Sequence, residues 1–214
     1  MAQALALIFG ESSNDTNALR HLIPALLPPE VIPLCRAVRE PGTLSRNAAV
    51  PKRKAVAQAI AIVAKYEARS RTVAVVAHED CDAIEDAHLG RMASIKAELS
   101  KAGVTHPIAA APAWEMEAWW MLFPEALRAV RKCWAEVDFG GRNVGTITDA
   151  KEVLRRALRP SVGANKCPDY AESDSVRIAE EIGRLGLGRD DGRLKRSKSL
   201  TAFRDDLALA FARA

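Results

Sequence analysis

The run Thr72 to Ala77, TVAVVA, is β-branched and too apolar to turn either side toward water. A strand of that kind needs cover on both faces, which points to the interior of a parallel sheet. Leu5 to Phe9, LALIF, has the same character, and Val31 to Cys35 and Val104 to Ala111 read as further strands. Between these runs the spacing becomes helical. Thr16 to Leu27 is a helix stopped by Pro28 and Pro29. Lys54 to Glu67 carries Val56, Ile60, Val63 and Ala64 on one side, and Ile84 to Lys101 ends before Gly103. Strands alternating with helices in this way define an α/β fold, a parallel sheet with helices on both faces.

After Pro112 the strands stop. Residues 114–135, 149–159, 171–185 and 198–213 read as helices. The expected division is therefore an α/β core over 1–125 and a helical extension over 126–214, packed on the core. The 214 residues, 49% hydrophobic and 27% charged, suit one sizeable core and argue against disorder. No apolar run approaches the roughly 20 residues of a membrane span. The apolar start lacks a basic leader and runs directly into Glu11 and Asp15, which fits a buried strand rather than a signal peptide. Cys35, Cys81, Cys133 and Cys167 are scattered without CxxC spacing, so neither zinc nor a disulfide framework is expected. A reducing cytoplasm is the simplest compartment for such a chain.

In open parallel sheets, ligands sit beyond the carboxyl ends of the strands. Gly10, Glu11 and then Asp15 follow the first strand, His78, Glu79, Asp80, Cys81 and Asp82 follow TVAVVA, and Glu115 and Glu117 follow the fourth. Three strand ends thus deliver carboxylates to one rim, where they repel one another unless a cation lies between them. Oxygen donors without histidine or thiolate pairs select Mg²⁺ or Mn²⁺ over zinc. In an extended Asp80-Cys81-Asp82 the two carboxylates point the same way and reach one ion, while Glu11 and Asp15 form a second cluster. Asp82 has a competing use as cap of a helix starting at Ala83. Glu115 and Glu117 have one as acids at a helix N-terminus. If that stretch is helical, only one of the two faces the site, and Glu117 is the choice. Trp119 and Trp120 read as core, and His78 as a satisfied histidine at a strand end rather than a ligand.

Net charge is +4 and the isoelectric point about 9.0, but the charge is uneven. Arg36, Arg39, Arg46, Lys52, Arg53, Lys54, Lys65, Arg69 and Arg71 face only Glu40 and Glu67 in the same stretch, and Arg189, Arg193, Lys195, Arg196 and Lys198 form a second cluster. Lys52, Arg53, Lys54, Lys195 and Arg196 are the candidate contacts to a phosphate backbone, the alternative being ordinary solvated surface.

Glu11-Ser12-Ser13-Asn14-Asp15 followed by Asp80-Cys81-Asp82 resembles the TOPRIM pattern of a glutamate after the first strand and an Asp-x-Asp after a later one. Pro112 to Trp119, PAWEMEAW, and the basic-Ser-x-Ser helix from Arg196 to Phe203 are similar to elements of small stand-alone TOPRIM-like proteins related to the OLD-type nucleases. Ser12 stands where the family has glycine. The resemblance implies a TOPRIM-like, Rossmann-like core, Mg²⁺-dependent phosphodiester cleavage, action on DNA, a partner ATPase and a role in antiviral defence. Under that reading Glu11, Asp80 and Asp82 are catalytic. Glu11, Asp15, Asp80, Asp82 and Glu117 hold metal, or Glu11 instead acts as general acid or base, and Lys166 or Lys195 steadies developing charge. Competing expectations are an RNA or tRNA nuclease, and a non-catalytic subunit bound to an ATPase. A nucleotide-binding domain is disfavoured by the lack of GxxxxGK[ST] and GxGxxG loops.

Overall fold

A computed structural model describes residues 3–39, 48–71, 73–160 and 167–212. Arg46, Thr72 and Lys166 lie outside the described residues. Four strands form one parallel sheet: β1 (Leu5–Phe9), β2 (Leu34–Ala37), β3 (Val73–His78) and β4 (Pro107–Ala110), in the order β2-β1-β3-β4. The register sets Leu5 against both Leu34 and Val73, Phe9 against Ala77, and His78 against Ala110. The α/β expectation is met.

Alternate strand residues feed two separate cores. Ala6, Ile8, Ala74, Val76, Ile108 and Ala110 face one side, whereas Leu5, Leu7, Phe9, Val73, Val75 and Ala77 face the other. Helices α2 (Val50–Glu67) and α3 (Ala87–Lys101) cover the second side, and α1 (Ser13–Leu26) lies on the first. The chain moves from β1 outward to β2 over one face, then returns over the other to β3 and β4. Its winding therefore reverses between β1 and β3, the switch point at which such sheets open a crevice.

The C-terminal helices complete the first face. They are α4 (Glu117–Trp120), α5 (Pro124–Val130), α6 (Ala150–Ala157), α7 (Asp174–Arg184), α8 (Asp191–Leu194) and α9 (Lys198–Phe211). α7 packs on α1 and α5, and α9 packs along β4. Trp119 and Trp120 are fully buried, as expected of core residues, and Trp119 stacks on Phe203 at 5.5 Å. The expected boundary near residue 125 falls inside α5, where both parts share one hydrophobic cluster.

Three expectations are corrected. The helix expected over 114–135 is two short helices, because Trp114 adopts a left-handed φ of 61° and Pro124, lacking an N–H, starts a new helix. α3 begins at Ala87 rather than Ile84, because the backbone before it continues pairing with the extension of β4. Glu79 N donates to Ala110 O (3.2 Å), Cys81 N to Pro112 O (3.2 Å) and Asp82 N to Trp114 O (3.0 Å). Cys133 and Cys167 form a disulfide with Cα atoms 5.8 Å apart, a pairing made by the fold that spacing did not signal. The reducing compartment inferred from unpaired cysteines loses that support. Among the described residues no helix is long and apolar enough to cross a membrane.

Candidate functional site

Both sides of the switch point carry acids. Beyond β1, Ser12 caps α1: its Oγ accepts from Asp15 N at 3.1 Å, and the same hydroxyl donates to Asp15 Oδ2 at 2.7 Å. Ser12 has extended φ and ψ of −129° and 160°, so the position where the TOPRIM pattern has glycine makes no demand here that serine cannot meet. Asp15 is thus partly committed to its own helix, while Glu11 remains solvent-accessible.

Beyond β3, the hydrogen bonds to residues 110–114 lay the Asp80–Asp82 segment beside the chain leading to Glu115 and Glu117. Asp82 adopts a left-handed φ of 48°, so the regular alternation expected of Asp80-Cys81-Asp82 is broken. Nor does Asp82 cap a helix, since α3 starts later, after Asp86. Asp80 is the shared neighbour of the group. Partial burial and then the charge of Asp80 raise the pKa of Glu11, against His78 and a hydrogen bond from the Asp80 backbone. Burial, and more weakly Asp80 and Asp82, raise that of Glu115, whose Oε2 accepts from Lys151 N at 3.1 Å. Burial pushes Glu117 up to about 7, with Glu115 and Asp80 adding to it and the Tyr170 hydrogen bond opposing. The helix on which the choice between Glu115 and Glu117 rested does not include Glu115. Glu115 lies in the turn before α4, outside helical spacing, and both acids lie within electrostatic reach of Asp80.

His78 joins the two sides. It is 0% exposed, with Nε2 3.4 Å from Asp80 Oδ1 and Nδ1 3.8 Å from Asp15 Oδ2. These are ion-pair distances, so two carboxylates partner the buried ring, with Asp80 the nearer. Burial by itself lowers its pKa, but Asp80, Asp15 and Glu11 outweigh burial and leave it raised. Gly10 makes room for the ring: a Cβ there sits 3.3 Å from His78 Cβ and 2.8 Å from Thr16 Cγ2. Outside Glu11, an open cleft of about 610 Å³ runs between the start of α1 and Val38 and Arg39.

The basic candidates divide. Lys52 and Lys54 are exposed in the first turns of α2, which starts at the carboxyl end of the sheet. Lys195 is exposed, and Arg196 Nε donates to Arg142 O at 3.2 Å; both precede α9, whose Ser199 Oγ accepts from Ala113 N at the rim. Arg53 is corrected as a phosphate contact. It is 8% exposed, pairing with Glu98 at 2.6 Å and with the fully buried Glu79 at 3.2 Å, and Glu79 also pairs with Arg91. Among the described residues of the C-terminal part, Lys151 comes near the acids: its backbone N bonds Glu115, and its Nζ bonds Glu172. Its pKa is raised by its bond to Glu172 first, and by Glu117 and Glu115 more weakly. Lys151 and Tyr170 escaped sequence reasoning because they lie 34 or more residues from the acids they meet, on segments with no local motif.

The donors suit a hard cation in kind, being carboxylate oxygens, and Asp80 Oδ1 is buried without a hydrogen bond. In number they are less complete: among the described residues no three His, Cys, Asp or Glu side chains converge as ligands of one ion. No family model, characterised protein or solved structure matches the chain. What fold and site define together is a parallel-sheet α/β protein with acids gathered beyond the switch point of its strands.

Proposed function

We propose that this chain is a Mg²⁺- or Mn²⁺-dependent nuclease of the TOPRIM type, acting on phosphodiester bonds of nucleic acid and on DNA foremost. The observation that carries the proposal is that Glu11 and Asp80, from adjacent strands on either side of the switch point, share one electrostatic field with Asp82, Glu115 and Glu117. Asp80, Asp82, Glu11 and Glu117 would hold the cation, with Asp15 at the margin because its cap occupies one oxygen. When bound, such an ion supplies positive charge against the charge that builds on a cleaving phosphodiester. Glu11, exposed and with a raised pKa, donates or accepts the proton. Lys151, which feels Glu117 and Glu115 more weakly than its bonded partner Glu172, would take the part expected of Lys166 or Lys195. Lys52, Lys54 and Lys195 lie at the same end of the sheet and suit a phosphate backbone. A partner ATPase and a role in antiviral defence belong to the same proposal through the TOPRIM resemblance alone, and a homo-oligomer because a lone domain of 214 residues offers little groove for a duplex.

One observation favours a non-catalytic reading, a regulatory subunit whose acids no longer bind metal: the lack of three converging ligands among the described residues. Cleavage assays on parallel DNA and RNA substrates with Mg²⁺ or Mn²⁺ separate the readings. The nuclease reading expects metal-dependent cleavage that falls by more than about 100-fold in Asp80→Ala and Glu11→Ala, beyond the cost of losing an outer partner. Both variants keep the wild-type circular dichroism spectrum. Wild-type rates in either variant refute its role, and cleavage of RNA alone moves the substrate from DNA to RNA.

A further inference from the structure

Glu117 is the most buried of the candidate carboxylates at the rim, 5% exposed, and the group that bonds it comes from far along the chain. Tyr170 Oη donates to Glu117 Oε1 at 2.8 Å and lies 2.9 Å from Ser175 Oγ, which accepts from Trp120 Nε1 at 3.1 Å. A buried phenol needs one partner, and the serine alone supplies it. Here the hydroxyl is shared between the serine and a carboxylate facing the acids of the rim.

The tyrosine is itself held from both sides. Its ring packs at 6.2 Å on Trp134, whose Nε1 donates to Pro168 O at 2.9 Å, and the neighbouring Cys167 is tied to Cys133. On the other side Ala171 N donates to Asp174 Oδ2 at 3.1 Å, and Arg131 Nη2 donates to Asp174 Oδ1 at 2.8 Å. A donor on a segment fixed this way restricts the rotation of the carboxylate it bonds. Metal-binding carboxylates depend on such outer partners for orientation.

We infer that Tyr170 is a positioning residue for Glu117, so that the helical extension completes a metal site begun by the strand ends. The inference rests on the metal-site reading above. It assigns the segment from Cys167 to Ser175 a part in the site, where packing alone would make it a prop for α5.

Calorimetric titration of the full chain with Mn²⁺ tests it, on wild type, Tyr170→Phe, Glu117→Gln, the double variant, Ser175→Ala and Asp80→Asn. Tyr170→Phe keeps the ring and loses the donor, and is expected to weaken Mn²⁺ binding by about 10-fold. Ser175→Ala, which leaves the bond to Glu117 in place, is expected to bind as wild type. A positioning role predicts that Tyr170→Phe adds no loss in the Glu117→Gln background, whereas a purely structural role predicts that the losses multiply. Wild-type affinity in Tyr170→Phe, or multiplying losses, overturns the inference. If Asp80→Asn also matches wild type, the metal-site reading itself fails. If Asp80→Asn loses binding and Tyr170→Phe does not, only the role of Tyr170 fails.

Discussion

Glu11, Glu115 and Glu117 are all held toward their protonated forms, each first by burial and then by acidic neighbours, but to different degrees. Glu117 is the extreme, pushed up to about 7 from an ordinary 4.5. Between these values the folded chain binds a proton that the unfolded chain has released. Stability therefore falls as pH rises through that window. The other two acids act in the same direction. Denaturant unfolding at closely spaced pH values between about 4.5 and 7 is expected to show this decline, and Glu117→Gln to flatten it; an unchanged slope in the variant removes Glu117 as its source. Glu11 and Asp80 were legible in the sequence because position after an apolar strand is a local property. Arg53 was not. It sits between Lys52 and Lys54 in a basic run, and only the packing of α2 against β3 and α3 shows that it turns inward while its neighbours stay exposed.

Among the elements, β3 lies inside the sheet between β1 and β4, and its end is tied to two helices. Glu79, the residue between His78 and Asp80, binds Arg53 of α2 and Arg91 of α3 at the point where the strand ends. Both helices are thereby tied to the backbone that carries Asp80. Removing one member of a buried ionic group leaves charge behind without compensation, and costs about 3 to 5 kcal/mol. Glu98 still serves Arg53, so about 3 kcal/mol is expected for Glu79→Ala, measured by urea unfolding. A loss under about 1 kcal/mol contradicts the anchoring role. β1, β3 and β4 were readable from their apolar runs, β1 without any shift in its ends, whereas β2, expected over residues 31–35, runs over Leu34–Ala37 at the sheet edge, where alternate residues are exposed. Helices near the rim were misread because their limits are set by pairing at a distance: Glu79, Cys81 and Asp82 bond to residues 110–114 and Glu85 N bonds to Gly145 O, which delays the start of α3. Glu115 was set aside for the same reason, on a helix that begins two residues later.

At the scale of the molecule, the sheet order decides where the acids meet. Apolar strands announce a parallel sheet but not the order β2-β1-β3-β4, and it is this order that sets the ends of β1 and β3 side by side with the winding reversed between them. The extension beyond α4 then closes one face of the sheet, stacks Phe203 on Trp119 and delivers Tyr170 and Lys151 to the rim. α6, α7 and α9 could be read from their spacing, but α5 was merged into a longer helix and α8 was not expected. The disulfide and the Tyr170 bond could not, because their partners are 34 and 53 residues apart. Whether the rim gathers a cation is tested most directly by anomalous diffraction from crystals soaked in Mn²⁺. The account predicts a peak about 2.0–2.6 Å from a carboxylate oxygen of Asp80 and shared with Glu11 or Glu117. A map with no peak at the rim, its acids still apart and bonded to caps and neighbouring side chains, contradicts it.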